Sequence, residues 1–574
     1  MTTTAPHTAA TGPTVTGPPV AAEVAARLVG LLDHPAAEVT CAVDWAGPLR
    51  LPLAEERAVQ AACGLMHVHG LGAGRPTPLA VDFASTTAGI LAAQGTTAAL
   101  VARSRGAGTS AVRTSVGQAA LFALGQYLAA ATADNPAYES QLTPGRPEFV
   151  SADGVRIEIE ALYAEEWLRF WQYLDAPRAA VRHGWRPFQT RFGTAVCALD
   201  PELAATVRAA PLTVLRAAAE HAGAALLPVR DDPAAPEPVP PWTLTALPNA
   251  GRTAPAAAPS GELPLAGLRV LESTRRVQGP LAGRVLQLLG ARVLRIEPPD
   301  GDPMRGIPPM AGGCSARFSA LNAGKDVTEI DFTTAAGRDA VRELARDADV
   351  FLHNWAPGKA ARLGLDAEDL HRVQPGLVHA WASGWGDALG PRPPLGTDYL
   401  VQAHSGLAAA LRPEDEPPRT SLLTVTDVLG GLLSAQAALA ALLTRLRTGH
   451  GQRAVSSLYS ASALVPRPAR RARWGPLDRP LATLDGYLWP DPEARARPEA
   501  VARALGSAAD PAALAAAAAR RTSSELQSLL GELRTTATPV CTDLAALARD
   551  PRFAPALDAG AGAHTFVHPP WEFS

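Results

Sequence analysis

A carboxylate and a hydroxyl occupy matching positions in two stretches of this 574-residue chain. The stretch TVTDVLGGLLSAQAALAALLTRLRTGHGQ begins at Thr424, and DFASTTAGILAAQGTTAALVARSRGAGTS begins at Asp82. Laid over each other without a gap, they place Asp427 on Ser85. A carboxylate can attack an acyl carbon and form a covalent intermediate, and a serine cannot supply that carboxylate chemistry. A site that needs a carboxylate nucleophile can therefore use Asp427 in the second stretch but not Ser85 in the first.

The same position also has an ordinary structural interpretation. Asp427 precedes an apolar helix, and Asp and Ser cap helices about equally well by accepting backbone N–H bonds. Asp82, one turn before Ser85, is out of register to replace the missing carboxylate. Gly430 and Gly431 allow a neighbouring helix or a ligand to approach the helix start, where the helix N-terminus would favour a developing anion. The residues alone leave these interpretations open.

The similarity between the two stretches extends well beyond the helix. VQAACGLM from Val59 and VQAHSGLA from Val401 match at the same offset, so residues 55–125 recur at 397–467. A looser echo follows each block, because SADGVRIEIEALYAEEWLRFWQYLD and TLDGYLWPDPEARARPEAVARALG both place an Asp-Gly turn before a strand and a helix. The sequence therefore predicts a tandem repeat with a degenerate first copy.

Residues 265–400 precede the second copy, and the sequence predicts that the first copy lacks this half altogether. Strand-like runs such as LRVLEST and ARVLRIEPP alternate with helix-like runs such as GPLAGRVLQLLG, which predicts a Rossmann-like parallel sheet with helices on both faces. The first turn supplies only Gly279 and Gly283, so the dinucleotide fingerprint fails although Glu297 ends the second strand. A nucleotide-like ligand beyond the strand ends is still compatible with this fold class, and NAD is disfavoured.

Composition limits the partners and the compartment. The net charge is −3, which gives no basic surface for nucleic acid or for an anionic membrane. The five cysteines do not pair at metal-ligand spacing and are too sparse for a disulfide scaffold, so we expect no metal and a cytoplasmic location. By composition we expect a disordered tail at 1–22, a degenerate partial domain at 23–230, a Pro/Ala-rich linker at 231–264 and a second domain at 265–574. Within the second domain, residues of about 470–535 form a small domain of their own.

Several ordered motifs of the second half resemble the class III CoA-transferases. They are LAGLRVLESTRRVQGPLAGRVLQLLGARVLRIEPPDGDPMRG, FLHNWAPGKAARLGLD, GLVHAWASGWGDALGP, GTDYLVQAHSGL, TDVLGGLLSAQAALAALLTRLRTGHGQ, TPVCTDLAALARDPRF and the closing VHPPWEFS. That family contains the formyl-CoA and carnitine CoA-transferase type and also the α-methylacyl-CoA racemases. The resemblance covers about 264–574 well and 55–185 in a degenerate form.

The resemblance implies a function and a set of site residues. The family's catalytic aspartate falls on Asp427, which in the transferases attacks an acyl-CoA thioester and passes through mixed-anhydride and aspartyl-CoA intermediates. The implied substrates are acyl-CoA, with coenzyme A as the carried group, and a carboxylic acid. The residues on which the family's CoA contacts fall are Arg276, Val277, Gln278, Pro298, Ile330, Asn354, Trp355, Arg362 and Leu363. An ordinary helix-surface role for Arg362 and a core role for Trp355 are the alternatives.

The sequence departs from the family pattern in ways that bear on the alternatives. The racemases carry a histidine directly before the aspartate of the GTD motif, whereas this chain carries Thr397, which cannot act as a base at neutral pH. A glycine-rich loop that shields intermediates in some transferases is not visible, and the small domain is short. An acyl-CoA racemase or epimerase and a non-catalytic CoA-binding protein are the two alternative functions.

The family forms interlocked dimers, which suggests a role for the degenerate copy. We expect the first copy to act as a built-in partner, giving an intrachain pseudo-dimer with one site per chain. A homodimer, or a surviving duplication without a catalytic role, is the alternative.

Overall fold

The computed structural model describes residues 14–32, 34, 39–134, 142–235, 239–248, 262–558 and 562–574. Its α-helices span Pro19–Val29, Glu56–Ala62, Leu65–Gly70, Phe83–Ser104, Val116–Ala123, Gly125–Ala131, Ala164–Tyr173, Arg178–Thr194, Pro201–Ala209, Leu212–Ala222, Gln278–Leu288, Ala316–Asn322, Ala335–Ala345, Lys359–Leu363, Ala367–His371, Asp398–His404, Leu407–Ala410, Val425–Thr448, Leu458–Ser462, Pro492–Arg495, Pro498–Leu505, Pro511–Ala518, Ser523–Glu532 and Leu544–Arg549. Short 3-10 turns lie at Leu71–Ala73, Pro303–Gly306 and Ala554–Ala556.

The strands are numbered in chain order. They are β1 Thr14–Thr16, β2 Thr40–Asp44, β3 Ala111–Ser115, β4 Phe149–Val150, β5 Arg156–Glu160, β6 Ala225–Pro228, β7 Trp242–Ala246, β8 Arg269–Ser273, β9 Arg292–Glu297, β10 Met310–Ala311, β11 Cys314–Ser315, β12 Asp326–Glu329, β13 Val350–His353, β14 Val378–Ser383, β15 Gln452–Ser457, β16 Leu481–Ala482, β17 Tyr487–Pro490, β18 Ala537–Pro539, β19 Leu557–Asp558, β20 Phe566–Val567 and β21 Glu572–Phe573.

The largest sheet has seven strands in the order β12-β9-β8-β13-β14-β15-β7. Its first six strands are parallel, and β7 joins β15 antiparallel. The strands are mostly buried apolar runs separated by helices, which is the pattern that closes right-handed crossovers over both faces of a sheet. The predicted Rossmann-like architecture, with small domains added to it, is confirmed.

The first copy has a shortened sheet of its own. Strands β1, β2 and β3 are parallel, and β21 joins β3 antiparallel. The helix Pro19–Val29 packs on the first copy's long helix much as Gln278–Leu288 packs on the second copy's long helix. The expectation that the first copy lacks this half is therefore wrong, because a three-stranded remnant persists. The predicted disordered tail is also wrong for residues 14–22, which form β1 and a helix start, and residues 1–13 lie outside the described residues.

The two copies exchange their closing strands. Strand β7 follows the first copy's small domain but pairs with β15 of the second copy's sheet. Strand β21 ends the second copy but pairs with β3 of the first copy's sheet. Each exchanged strand begins at or directly after a Pro-Pro-Trp sequence, at Trp242 and Trp571. Part of the predicted linker, Trp242–Ala246, is thus a sheet strand, while its residues 236–238 and 249–261 lie outside the described residues.

The small domains are exchanged in the same way as the strands, because each packs against a helix of the other copy. The first (β4-β5-β6) packs on the helix Asp398–His404, and the second (β16-β17-β18) packs near the helix Glu56–Ala62. In each case a strand-end N–H reaches the equivalent helix carbonyl: Arg230 N donates to Ala403 O at 3.0 Å, and Cys541 N donates to Ala61 O at 2.9 Å. The predicted domain boundaries at 230 and 265 therefore separate copies in sequence but not compact units in space.

Two long helices cross at the centre of the molecule, Phe83–Ser104 and Val425–Thr448. Gln94 Nε2 of the first donates to Leu432 O at 2.6 Å, and Gln436 Nε2 of the second donates to Thr97 Oγ1 at 2.9 Å. Gln94 and Gln436 occupy the same aligned position in the two repeats. The helices therefore cross where the pseudo-twofold symmetry maps one helix onto the other. The Val425–Thr448 helix is long and apolar enough to span a membrane, but 94% of its apolar window is buried inside the protein.

Candidate active site

The start of the Val425–Thr448 helix is capped by a distant carboxylate. Asp398 Oδ1 accepts hydrogen bonds from Thr426 N at 2.6 Å, Asp427 N at 2.9 Å and Thr426 Oγ1 at 2.7 Å. Asp427 itself is the third helical residue, after the N-cap residue Thr424. The expectation that Asp427 caps the helix is wrong, because Asp398 satisfies the N–H groups that a cap would bind. The side chain of Asp427 is thereby left without a structural task.

The first copy repeats the capping with one change. Glu56 accepts from Ala84 N at 2.9 Å and Ser85 N at 2.8 Å, so it takes the role of Asp398. Its longer side chain also accepts from Ser85 Oγ at 2.6 Å. The serine at the position of Asp427 is therefore bound into the cap, and the aligned position of this copy offers no carboxylate.

Asp427 has an electrostatically unusual setting. Its carboxylate accepts no hydrogen bond from any residue that the structure describes, and it forms no ion pair with them. Although part of its surface stays accessible, burial raises the pKa of Asp427 well above the ordinary range, and the neighbouring Asp398 raises it further. Arg276 opposes this shift, and Glu160 of the first copy adds to it. Burial likewise raises the pKa of Asp398 to about 6, against the hydrogen bonds that it accepts. A carboxylate with a raised pKa is more basic, and therefore a stronger nucleophile once ionised.

The glycines of the helix start serve packing. A Cβ at Gly431 would lie 2.7 Å from Gln278 O, and one at Gly430 would lie 2.6 Å from Leu458 Cδ2. The Gly431 contact is with backbone and leaves no room for a side chain, while the Gly430 contact is with the end of the Leu458 side chain. These glycines let two neighbouring helices approach. Of the two interpretations of Gly430 and Gly431, close packing is the one that the geometry favours. Because Asp398 occupies the N–H groups of Thr426 and Asp427, the helix start also has fewer free donors for a developing anion.

The implied CoA-binding residues gather at the carboxyl ends of the parallel strands. Arg276, Val277 and Gln278 follow β8, and the remaining residues follow the neighbouring strands: Pro298 after β9, Ile330 after β12, and Asn354 and Trp355 after β13. Asn354 fixes the loop after β8, since its Oδ1 accepts from Arg275 N at 3.0 Å and its Nδ2 donates to Arg275 O at 2.9 Å. Gln278 Nε2 donates to Ser383 O at 3.0 Å. This edge is where open α/β sheets bind ligands.

Three of the other implied CoA-binding residues pack in or against the apolar core, and a fourth lines a small cavity. Trp355 is buried, donates from Nε1 to Ser273 Oγ at 3.2 Å and packs its ring 5.3 Å from that of Phe332. Leu363 and Ile330 pack at the border of the same apolar cluster. Val277 is buried beside Leu281 and Val428 and lines a small cavity of about 30 Å³ with them. Trp355 thus fits the core-filling alternative, and only its position relates it to the strand-end crevice.

Four cations lie at this edge without acidic partners. Arg275, Arg276, Lys359 and Arg362 form no ion pair and donate no side-chain hydrogen bond within the described part of the chain. Burial lowers the pKa of Lys359, and the charges of Arg275 and Arg362 lower it further. Three of these cations, Arg275, Lys359 and Arg362, thus repel one another, and such a group of cations is the arrangement expected where phosphate groups bind.

The first copy completes the surroundings of Asp427. Arg191 Nη2 pairs with Glu160 Oε1 at 3.1 Å, both side chains being buried. The Arg191 guanidinium also lies 4.7 Å from the ring centroid of Tyr399, directly after Asp398 in the chain. The guanidinium of Arg276 lies 5.6 Å from the ring centroid of Phe192. Residues of the two copies therefore meet at one site.

The sequence did not predict a site role for Asp398, Glu56, Glu160 or the cations Arg275 and Lys359. A signal for the first two existed, because Asp398 and Glu56 align at the same offset as Asp427 and Ser85. No local pattern marks Glu160, which approaches only through the exchanged small domain. Among the described ranges, no group of three His, Cys, Asp or Glu side chains is placed to hold a metal ion.

Comparisons with known proteins agree with the duplicated arrangement. The family model described as CoA-transferase family III matches residues 44–237 and 265–470. The mouse succinyl-CoA:glutarate CoA-transferase is 33% identical over 243 residues, which cover 39% of this chain and 56% of that protein. The acetyl-CoA:oxalate CoA-transferase of Acetobacter aceti is 36% identical over 202 residues, or 35% of this chain and 52% of that protein. The matches thus span about half the length of these curated relatives.

A solved structure of a CAIB/BAIF family protein from Brucella suis is also similar. It is 26% identical, with 54% of this chain and 92% of that chain covered at a TM-score of 0.47.

Proposed function

Because this chain belongs to CoA-transferase family III, we propose that it moves CoA between an acyl-CoA thioester and a carboxylic acid, with Asp427 as the nucleophile. One observation carries the proposal. The Asp427 carboxylate is free of hydrogen bonds beside an unopposed cationic strand edge, while Asp398 performs the capping. Several relatives are named for transfer to carboxylic acids such as glutarate and oxalate, which supports an acid of this class as acceptor.

The proposed chemistry proceeds through two kinds of covalent intermediate. An Asp427 oxygen attacks the thioester carbonyl, the C–S bond breaks, and CoA leaves as thiolate, which gives a mixed anhydride. The thiolate then attacks the aspartyl carbonyl, which releases the donor acid and leaves an aspartyl-CoA thioester. The acceptor carboxylate attacks that thioester, and the displaced thiolate finally attacks the acyl carbon of the second anhydride. The last step frees Asp427, so the thioester energy is kept from hydrolysis.

The chain's own residues have separate tasks in this scheme. Arg276 and the cations Arg275, Lys359 and Arg362 would hold the phosphate groups of CoA at the strand edge. Asn354 would keep the loop after β8 in place through its two bonds to Arg275. Asp398 would act as a positioning residue, since it holds the backbone of Asp427 and raises the pKa of its carboxylate.

The racemase alternative lacks a base at the required place. Thr397 occupies the position of the racemase histidine, and its buried hydroxyl has no hydrogen-bond partner in the described part of the chain. A threonine hydroxyl does not accept a proton at neutral pH. No observation favours the non-catalytic CoA-binding alternative over the transferase.

We further propose that each chain is a monomeric pseudo-dimer whose one active site lies between its two copies. We also propose that the protein is cytoplasmic. The exchanged strands β7 and β21 and the contact of Arg276 with Phe192 support this arrangement. The first copy would then supply the surroundings that a second subunit supplies in an interlocked dimer.

The matched pair Asp427 and Ser85 gives the first test. Asp427→Asn keeps size and backbone bonding but removes the nucleophile, so CoA exchange between an acyl-CoA and free acid should fall by roughly 10³-fold or more. Ser85→Ala, at the aligned position, should leave exchange within about twofold. Exchange at a wild-type rate in the Asp427→Asn variant would refute the proposed nucleophile.

A further inference from the structure

A second concentration of positive charge lies where the two copies meet, apart from the strand edge. The segment Arg412–Ser421 of the second copy faces the first copy's His69 and residues 146–149. His69 Nδ1 is 2.7 Å from Ser421 Oγ, and Arg419 is ion-paired with Glu148. We call Arg146, Arg412 and Arg419 the interface arginines.

The interface arginines are poorly matched by acids. Arg412 has an exposed side-chain fraction of only 2%, and its nearest carboxylate oxygen is Glu416 Oε2 at 3.8 Å. Arg146 Nε lies 3.7 Å from Glu148 Oε1, an oxygen that Arg419 also contacts. Three guanidinium groups thus face two carboxylates.

Several buried donors of this cluster have no acceptor. Nε and Nη1 of Arg412, Nε of Arg419 and Nε2 of His69 are buried and make no hydrogen bond within the described residues. Leaving such a group unsatisfied costs about 1–3 kcal/mol, and more when it is charged. Several such atoms in one place therefore indicate an acceptor that the chain does not itself supply.

The electrostatics agree with the geometry. The pKa of Arg412 is lowered to about 9 by burial first and then by Arg146, with Arg419 acting in the same direction. The pKa of His69 is lowered by burial and by the three interface arginines, so this histidine is neutral and adds no charge. The cluster repels itself, and an anion would relieve that repulsion.

Space for a small ligand adjoins the cluster. A cavity of about 30 Å³ is lined by Arg146, Arg156, Arg419 and Thr420 and by the acids Glu148 and Glu158, among other residues, whereas Arg412 lies beside it and does not line it. A single water needs about 10–15 Å³ on this measure, so the cavity fits only a few heavy atoms. Guanidinium groups bind carboxylate and phosphate oxygens through paired N–H bonds.

We propose that the interface arginines form a binding site for a small oxyanion, of the carboxylate or inorganic phosphate kind, between the two copies. The anion accepts hydrogen bonds from Arg146 and Arg419, which line the cavity, and its charge offsets that of the neighbouring Arg412. It thereby strengthens the contact between the copies. The proposal stands on the cluster alone and does not depend on the proposed transferase activity.

The test is thermal unfolding of the full chain at constant ionic strength, with chloride replaced stepwise by phosphate or by acetate at millimolar concentrations. Wild type should show a midpoint that rises with the logarithm of anion concentration above the dissociation constant. Arg412→Met should lose most of that rise, because the buried charge that the anion offsets is gone. Arg520→Met, at an exposed arginine, should keep it.

The variants separate this site from other anion effects. Phosphate bound at the strand-edge cations would raise the midpoint of Arg412→Met as well, so only the difference between wild type and this variant reports the cluster. Arg146→Gln, at a partly exposed position, provides a second variant if Arg412→Met folds poorly. A larger difference for acetate identifies a carboxylate site, and a larger difference for phosphate identifies a phosphate site. Equal anion dependence in wild type and both variants, or none in wild type, would overturn the proposal.

Discussion

At the scale of single residues, the site differs from its degenerate copy in how carboxylates are used. Asp398 is one methylene shorter than Glu56, and Thr426 supplies the hydroxyl that it binds. In the first copy the longer Glu56 binds the hydroxyl of Ser85 instead. The first copy therefore has serine in place of Asp427 and also a different cap. Of the two aligned positions, only that of Asp427 has a carboxylate free of hydrogen bonds.

The raised pKa of Asp427 predicts the pH dependence of the reaction. Attack requires the ionised carboxylate, so kcat/KM should rise with pH, and its acid limb should lie above the pH at which an ordinary aspartate titrates. Arg276 holds this pKa down, so Arg276→Gln should move the acid limb to higher pH. Arg362→Gln, which removes a strand-edge cation that does not act on Asp427, should raise KM without moving the limb. A pH–rate series of the three proteins checks this, and an unmoved limb in Arg276→Gln would count against the assignment.

At the scale of elements, the two long helices are capped by equivalent acids that lie 28 and 29 residues upstream of the N–H groups that they bind. This explains why the sequence reasoning assigned the cap to Asp427. Capping patterns are read from neighbours within a turn, whereas the true cap comes from another helix whose position depends on tertiary packing. The strands β8, β9, β13 and β14 could be predicted because each is a local, mostly buried run between helices.

The pair of caps gives a matched prediction for stability and activity. Asp398→Ala and Glu56→Ala each remove a buried carboxylate that satisfies backbone N–H groups, so each should lower the free energy of unfolding by about 1–3 kcal/mol. Only Asp398→Ala should also lower kcat, since only it holds the backbone of the nucleophile. Urea unfolding and CoA-exchange rates on both variants test this. If Glu56→Ala lowered kcat as much as Asp398→Ala does, the loss of kcat would be due to general destabilisation and not to the position of the nucleophile.

At the scale of the whole molecule, the two copies interlock through exchanged strands and exchanged small domains. The duplication was visible in the sequence because the central helices align without gaps. The exchange was not, because β7 and β21 are short and pair with strands far away in the chain. Strand β1 was equally hidden, since TVT lies in a Thr/Pro-rich stretch with no apolar alternation. Non-local pairing of this kind depends on tertiary structure rather than on local pattern.

The exchange predicts that stability is shared between the copies. Trp571 is buried, and its Nε1 donates to Leu91 O of the first copy at 2.7 Å. Trp571→Ala should therefore lower the free energy of unfolding by about 3–5 kcal/mol, and Trp242→Ala should act similarly from the other exchanged strand. Both variants should still unfold in one transition, as followed by circular dichroism. Two separate transitions would mean that the copies are independent domains.

The same arrangement predicts that the wild-type chain sediments as a monomer.

The central claim, that Asp427 carries the transferred group, can be measured directly. The protein is incubated with a panel of acyl-CoA donors and hydroxylamine, which captures an activated aspartyl carbonyl as a stable hydroxamate, and its peptides are then analysed by mass spectrometry. We predict a hydroxamate on Asp427 with those donors that support CoA exchange. Active CoA exchange with a donor that leaves Asp427 unmodified, or a hydroxamate on a different carboxylate, would contradict the account.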